Sequence, residues 1–320
     1  MKLIIKHAKF NSSLILLLFV LFFTETDAQG IIKNHVSDSL NFLFISDFGG
    51  QGGKVQCEVG AQMGHQASIE KSSFVITGGD NYHQNGISSA FDPKWKTEFE
   101  NIYSDKSLMI PWYASLGNHD YNGSPEAEIK YSQISKRWHM PARYYSHKEK
   151  INDTTDVLFI HMDTSPFITD YRKNDSIYHV LGQDTKAQLS WLDSILAKSN
   201  ARWKIVIGHH PVFSSVEKRG NTKELIDEIL PIMEKYGVKV YFCGHEHFMQ
   251  YLVDGSLNSF VCGCGALTRP VSNREDVKFG SATPGFISVT VTYDLFKVNY
   301  VSNKGEILYS AVVEQRSKDK

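Results

Sequence analysis

Six segments of the chain share one pattern, an apolar, β-rich run that stops abruptly at Gly, Asp, Asn or His. They are LNFLFISD ending at Asp47, SFVITGGD at Asp80, WYASLGNHD at Asp120, DVLFIHMD at Asp163, WKIVIGHH at His210 and VKVYFCGHEH at His247. Apolar runs of this kind, bounded by turn-forming residues, are the mark of strands buried on both faces. Between them the spacing predicts helices over about 54–70, 91–103, 126–138, 184–198 and 222–236. In the fourth, Leu189, Leu192, Ile195 and Leu196 recur at helical spacing, and the fifth stops before Gly237. Strand alternating with helix predicts a layered α/β architecture. From about 258 to 313, FISVTVTYD and FKVNYVS carry no helical period, so the chain is expected to close with antiparallel strands rather than within one parallel sheet. No Pro/Gly/Ser-rich linker divides residues 29–320, and the polar stretch 167–183 reads as a surface loop, so a single domain is expected.

Ahead of the first strand, residues 1–28 carry Lys2, Lys6 and Lys9, an apolar run from Leu14 to Phe23, and small or polar residues ending at Ala28, the layout of a secretory signal. The run is short for a permanent span of a ~30 Å hydrocarbon layer, so no stable membrane span is expected once it is cleaved, an uncleaved anchor being the alternative. The implied location is secreted, periplasmic or the lumen of a secretory pathway. Asn122, Asn152 and Asn174 head acceptor patterns for N-glycosylation, which matter only in a eukaryotic secretory host.

The 320 residues hold 34 Lys+Arg against 35 Asp+Glu, and removal of the leader leaves the chain near neutral, so no global field points to nucleic acid. Cys57, Cys243, Cys262 and Cys264 are too sparse for a disulfide scaffold. Cys262 and Cys264, two apart in an extended run, read as buried small hydrophobes on one face rather than a bridge.

Chelating residues gather at the strand ends: Asp47, Asp80, Asn118, His119, His209, His245 and His247. Each alone is readily a helix cap, a turn former or a solvated imidazole. Their recurrence at five of six strand ends is not something folding requires, and open α/β sheets place their sites where such ends converge. Carboxylates, an amide oxygen and imidazoles without thiolate suit Fe, Mn or Zn. There are donors enough for two ions, and a pair sharing one carboxylate performs phosphoester hydrolysis through in-line attack of a metal-bridging hydroxide.

The ordered blocks DFGG, GGDNYHQNG, GNHDY, GHHP and GHEH resemble those of the calcineurin-like metallophosphoesterases, and within them the small, tartrate-resistant type of purple acid phosphatase. The similarity continues through YSQISKRWHMPARYY and DTKAQLSWLDSIL and covers nearly all of residues 40–300. The resemblance implies a four-layer sandwich of two mixed β-sheets flanked by helices, and an acid phosphatase acting on small phosphomonoesters. It implies two metal ions per chain, Fe in at least one site and Fe, Mn or Zn in the other. Asp80 is then the shared carboxylate, with Asp47 and His247 on the first ion and Asn118, His209 and His245 on the second. His119 becomes the phosphate contact and candidate acid, oriented by Asp120. Asn118, His119, His210 and Lys218 are the expected substrate-side residues.

Two positions depart from that pattern. Where the purple members carry a tyrosinate ligand three residues after the shared aspartate, this chain has His83. Exchanging an anionic phenolate for a neutral imidazole weakens the hold on Fe(III), so a colourless site with His83 as ligand and a divalent or readily reducible metal is expected. Two alternatives stand beside it: Tyr82 reaching the metal by a one-residue slip of the loop, and His83 as a plain loop residue. After GHHP, where relatives carry a histidine, the chain offers Glu217, Lys218 and Arg219, with Lys218 a fixed charge for phosphate but a poor proton donor. His210, in place of an aromatic residue, is a supporting or solvent-facing imidazole. Competing readings are a phosphodiesterase or nucleotide hydrolase, and a catalytically silent binding protein on a phosphatase fold.

Overall fold

The computed structural model describes residues 38–216, 220–271 and 276–315. The expected leader and Lys218, with Glu217 and Arg219, lie outside them. Among the described residues no helix is long and apolar enough to cross a membrane.

Among the described residues, fourteen strands form two seven-stranded sheets. The first has the order β14-β13-β12-β1-β2-β3-β4. In it β1 (Leu40–Ile45), β2 (Phe74–Thr77), β3 (Trp112–Tyr113) and β4 (Trp138–His139) run parallel. On the other side of β1, β12 (Gly285–Val291), β13 (Leu295–Ser302) and β14 (Ile307–Glu314) add antiparallel, as their alternation predicted. The second sheet has the order β11-β9-β10-β8-β7-β6-β5. Its centre is the parallel set β6 (Thr155–His161), β7 (Trp203–Ile207), β8 (Val240–Cys243) and β10 (Leu257–Cys262). Antiparallel edges are supplied by β5 (Tyr145–Asn152), β9 (Met249–Asp254) and β11 (Val277–Ser281).

The unbroken apolar runs follow from burial on both faces. In β1, Phe42 and Phe44 enter a core with Phe74, Phe159, Ile205 and Phe242, so both sheets contribute to it. Leu43 and Ile45, pointing the other way, pack with Val59 and Met63 of helix α1 (Lys54–Glu70). On the second sheet Leu158, Ile160 and Val206 meet Leu192 and Leu196 of a helix over Thr185–Lys198. Helix, sheet, sheet and helix make four layers. Asp184 caps the Thr185–Lys198 helix by accepting from Ala187 N at 3.0 Å, a bond worth about 1 kcal/mol.

Three expected helices differ from observation. Residues 91–103 yield only a short wide turn, Trp95–Glu100. The segment 126–138 stops at Tyr131 because Trp138 and His139 leave to pair with β3. The segment 222–236 is two helices, Lys223–Glu228 and Leu230–Lys235, with Pro231, which has no N–H to give, at the start of the second. The stretch 167–183, expected as loop, holds two short helical turns, Thr169–Lys173 and Asp175–Tyr178. Edge strand β5 escaped the apolar pattern because its YSHKEKIN sequence carries lysines, the usual protection of an exposed edge. Cys262 and Cys264 are buried and free, their sulfurs 3.8 Å apart.

Candidate metal centre

The ends of β1, β2, β3, β7 and β8 converge, and the chain turns sharply at each. Asp47, Asp80 and His245 adopt left-handed backbone, with φ of 52°, 50° and 66°. Non-glycine residues pay roughly 1–3 kcal/mol for such conformations and keep them where the surroundings enforce them. Close approach is enforced by glycines as well. A Cβ on Gly117 would stand 2.2 Å from Asp80 Oδ1, and one on Gly244 would stand 2.2 Å from Asp47 Oδ2.

Both aspartates are buried and held in the same way, one oxygen fixed and the other aimed inward. Asp47 Oδ2 accepts from Ser46 Oγ at 2.7 Å and His245 N at 2.9 Å. Its Oδ1 lies 3.3 Å from His247 Nε2 and 3.9 Å from His83 Nε2. Asp80 Oδ1 accepts from His119 N at 2.8 Å. Its Oδ2 faces His209 Nε2 at 3.3 Å, His83 Nε2 at 3.8 Å and His119 Nε2 at 4.0 Å. Asp80 thus stands between two groups. On one side are Asp47, His83 and His247. On the other, Asn118 Oδ1 lies 3.2 Å from His209 Nε2 and 3.0 Å from His245 Nδ1.

The imidazoles are oriented by their far nitrogens. His209 Nδ1 bonds Gly78 O at 2.9 Å and His83 Nδ1 bonds Gly49 O at 3.1 Å. A carbonyl can only accept, so each Nδ1 is the donor and each Nε2 is turned to the centre, the arrangement of a metal-ligating histidine. His83 Nε2 and Asp47 Oδ1 are buried without a hydrogen-bond partner among the described residues. Orphaned donors of this kind are costly unless a cation takes them up, and the donor set fits metal ions. Burial opposes the charge on both Asp80 and His209, but without a metal the two ionise together: Asp80 and Asp47 raise the His209 pKa to about 9, and its imidazolium holds the Asp80 carboxyl far below the usual range. A cation bound there would displace the Nε2 proton. Burial lowers the His83 pKa against the opposing pull of Asp47 and Asp80.

The structure brings Asp47, Asp80, His83, Asn118, His209, His245 and His247 together. Of His83 and Tyr82, His83 is the one that faces the centre. Tyr82 is fully buried away from the centre, its ring 5.1 Å from Trp95, and burial pushes its phenol well above the ordinary value. His119 stands at the mouth with its side chain 35% exposed.

The expectation for Asp120 requires correction. Its carboxylate does not orient His119, whose buried Nδ1 has no hydrogen-bond partner among the described residues. Asp120 instead accepts from Gly117 N at 2.8 Å, Tyr82 N at 3.1 Å and Asn81 N at 3.3 Å, tying together the loops after β2 and β3. Burial and the nearby Asp80 raise its pKa to about 7. His210 is not solvent-facing. It is buried, with Nδ1 2.9 Å from Thr164 Oγ1 and Nε2 3.2 Å from the Tyr171 hydroxyl.

A cleft of about 520 Å³ opens over the centre, lined by Asp80, His119, Tyr171, Tyr178, His210 and Arg269 among others. A smaller one of about 270 Å³ adjoins it across His119, His247 and Arg269. Arg269, Tyr171 and Tyr178 were missed because none ends an apolar run.

With this geometry the comparisons with known proteins agree. Residues 40–249 match the calcineurin-like phosphoesterase family. The chain belongs to that family. Among named relatives of this phosphoesterase, purple acid phosphatase 17 of Arabidopsis thaliana is 33% identical over 95% of this chain and 94% of its own. Human tartrate-resistant acid phosphatase type 5 is 30% identical over 90% of this chain and 94% of its own. Of solved structures, GAP50, described as the anchor in the inner membrane complex of Plasmodium, superposes with a TM-score of 0.76 at 25% identity, covering 88% of this chain and 90% of its own. The yellow lupin purple acid phosphatase PPD1 shares the fold, with a TM-score of 0.64 at 16% identity over 86% of this chain and 54% of its own.

Proposed function

We propose that the phosphoesterase is an exported, binuclear metal-dependent phosphatase that hydrolyses phosphomonoesters, of acid phosphatase type. The observation carrying this reading is the pair of buried aspartates, each with one oxygen fixed and the other turned toward inward-facing imidazole nitrogens. Asp47, His83 and His247 would hold a first ion, Asn118, His209 and His245 a second, and Asp80 both. Iron is the proposed occupant of at least one position, with Fe, Mn or Zn in the other. When bound, the ions supply Lewis acidity toward the phosphoryl oxygens and a water activated for in-line attack.

The chain's own residues do the rest. His119 lines the cleft with Nε2 4.0 Å from Asp80 Oδ2, where an imidazolium can steady developing charge and give its own proton to the leaving oxygen, ending as neutral imidazole. Asp120 acts as a positioning residue, holding Gly117, Asn81 and Tyr82 in place. Arg269 gives the cleft a fixed positive charge. The test is hydrolysis of p-nitrophenyl phosphate by the mature protein loaded separately with Fe(II), Mn(II) and Zn(II), beside Asp80→Asn. Turnover lost in the variant supports the reading, and no turnover with two ions bound per chain removes it.

His83 replaces the tyrosinate of the purple relatives, and its neutral imidazole favours a divalent first ion and a colourless protein. An iron-loaded, oxidised sample is expected to lack a tyrosinate charge-transfer band, and His83→Tyr to gain one. A band in the wild-type protein would sink this point. The likeness to GAP50, described as an anchor, gives a second reading, a binding protein without turnover. The full donor set speaks against it, and failure to bind metal at micromolar concentration would favour it.

A further inference from the structure

The cleft has one wall that the hydrolytic machinery does not use. Tyr171 and Tyr178, from the two short helical turns of the polar stretch, stack face to face, with ring centroids 4.0 Å apart and planes inclined by 17°. Both line the same cleft as Asp80 and His119. The pair is fixed in place. The Tyr171 hydroxyl lies 3.2 Å from His210 Nε2, and His210 Nδ1 lies 2.9 Å from Thr164 Oγ1. Since the His210 ring is 4.5 Å from that of His245, this chain of contacts ties the tyrosines to the edge of the metal centre. At the far end, Asp175 Oδ1 accepts from Val180 N at 2.6 Å and Leu181 N at 2.7 Å, fastening the turn that carries Tyr178.

Taking the phosphatase reading as its basis, we infer that the Tyr171–Tyr178 wall, held by His210, receives the leaving group and selects phosphomonoesters whose leaving group is a planar aromatic. A phosphoryl group at the centre places its ester substituent toward the cleft. There a rigid pair of aromatic rings offers a stacking face, while a short alkyl chain gains little from it. Stacking on a preorganised ring adds affinity without the ordering cost of a flexible contact. The histidine after His209 has a purpose on this account: its imidazole can bond Thr164 and Tyr171 at once.

The experiment compares kcat/KM for phenyl phosphate and n-propyl phosphate in the wild type, Tyr178→Leu, Tyr171→Leu and Tyr171→Phe, each checked for cooperative unfolding. The intrinsic difference between the leaving groups is common to every variant, so the change in the ratio reports the wall. The aryl-to-alkyl ratio is expected to fall about tenfold in the two leucine variants. Tyr171→Phe, which keeps the ring and loses the bond to His210, is expected to fall less, by about threefold. A second readout does not need turnover: inorganic-metal-loaded protein is titrated with phenylphosphonate and n-propylphosphonate, and the same loss of aryl preference is expected. A ratio unchanged in both leucine variants, in either readout, overturns the inference. Absence of hydrolysis of any ester would instead remove the phosphatase reading, and the phosphonate titration would still decide the wall.

Discussion

The two sheets contribute different chemistry to one centre. Loops of the first sheet supply its oxygen donors, Asp47, Asp80 and Asn118, whereas the second sheet supplies imidazoles, His209, His245 and His247. His83 is the exception, a nitrogen donor on the oxygen side. Neither sheet holds a complete set, since each proposed ion draws on both. The centre is therefore a product of packing between the sheets, and ions bound there add stability only to the assembled form.

The comparison breaks most severely at the oxygen side's shared member. Asp80→Asn is expected to lower turnover by roughly a thousandfold and to reduce bound metal below two ions per chain, by steady-state kinetics beside elemental analysis. If both ions stay bound, Asp80 is not shared. The next largest effect belongs to the interface. Phe42 lies 5.0 Å from Phe74 on its own sheet and 5.3 Å from Phe159 on the other. Phe42→Ala is expected to cost about 3–5 kcal/mol in urea unfolding, with part of the loss restored by saturating Mn(II). No metal-dependent recovery would mean that the ions do not join the sheets.

A smaller effect is expected within the oxygen side. Asp120→Asn leaves every donor in place but disturbs the carboxylate that fixes Gly117, Asn81 and Tyr82. Metal affinity should weaken about ten- to a hundredfold, as removal of an orienting partner generally does, with the fold retained. The smallest effect at neutral pH, and one felt only in acid, concerns imidazoles of the second sheet that lie away from the centre. His147 of β5 stacks on Tyr113 with ring centroids 3.6 Å apart, and burial pushes its pKa down to about 3. A folded pKa below the unfolded one means that the neutral form stabilises the fold above about pH 6.5. That contribution is lost as pH falls toward 3, with a slope of up to ~1.4 kcal/mol per pH unit. His147→Phe should flatten the acid limb of a stability–pH curve, and an unchanged limb would assign it elsewhere.

What could be read in advance follows from the same division. Strand ends were legible because a strand buried on both faces is continuously apolar, so Asp47, Asp80, His209 and His247 stand out at its boundary. His83 was legible only through the resemblance, which marks its position as a ligand's. Asp120 was misassigned because neighbours in sequence need not touch, and its carboxylate turns to backbone amides rather than to His119. Tyr171 and Tyr178 were hidden in a polar stretch whose composition announces exposure and says nothing of which surface it covers. Helix 222–236 was read through Pro231 because its apolar periodicity continues on both sides of the break.

Left-handed backbone at Asp47, Asp80 and His245 has an evolutionary consequence. These positions answer to two demands, one from the ion and one from the main chain, and the second persists if the first lapses. A descendant that gave up its metals would still need residues tolerant of positive φ there, so the open routes of drift lead to Gly and Asn rather than to branched side chains. A lost centre in this lineage would leave that imprint in the turns after its strands have forgotten the chemistry.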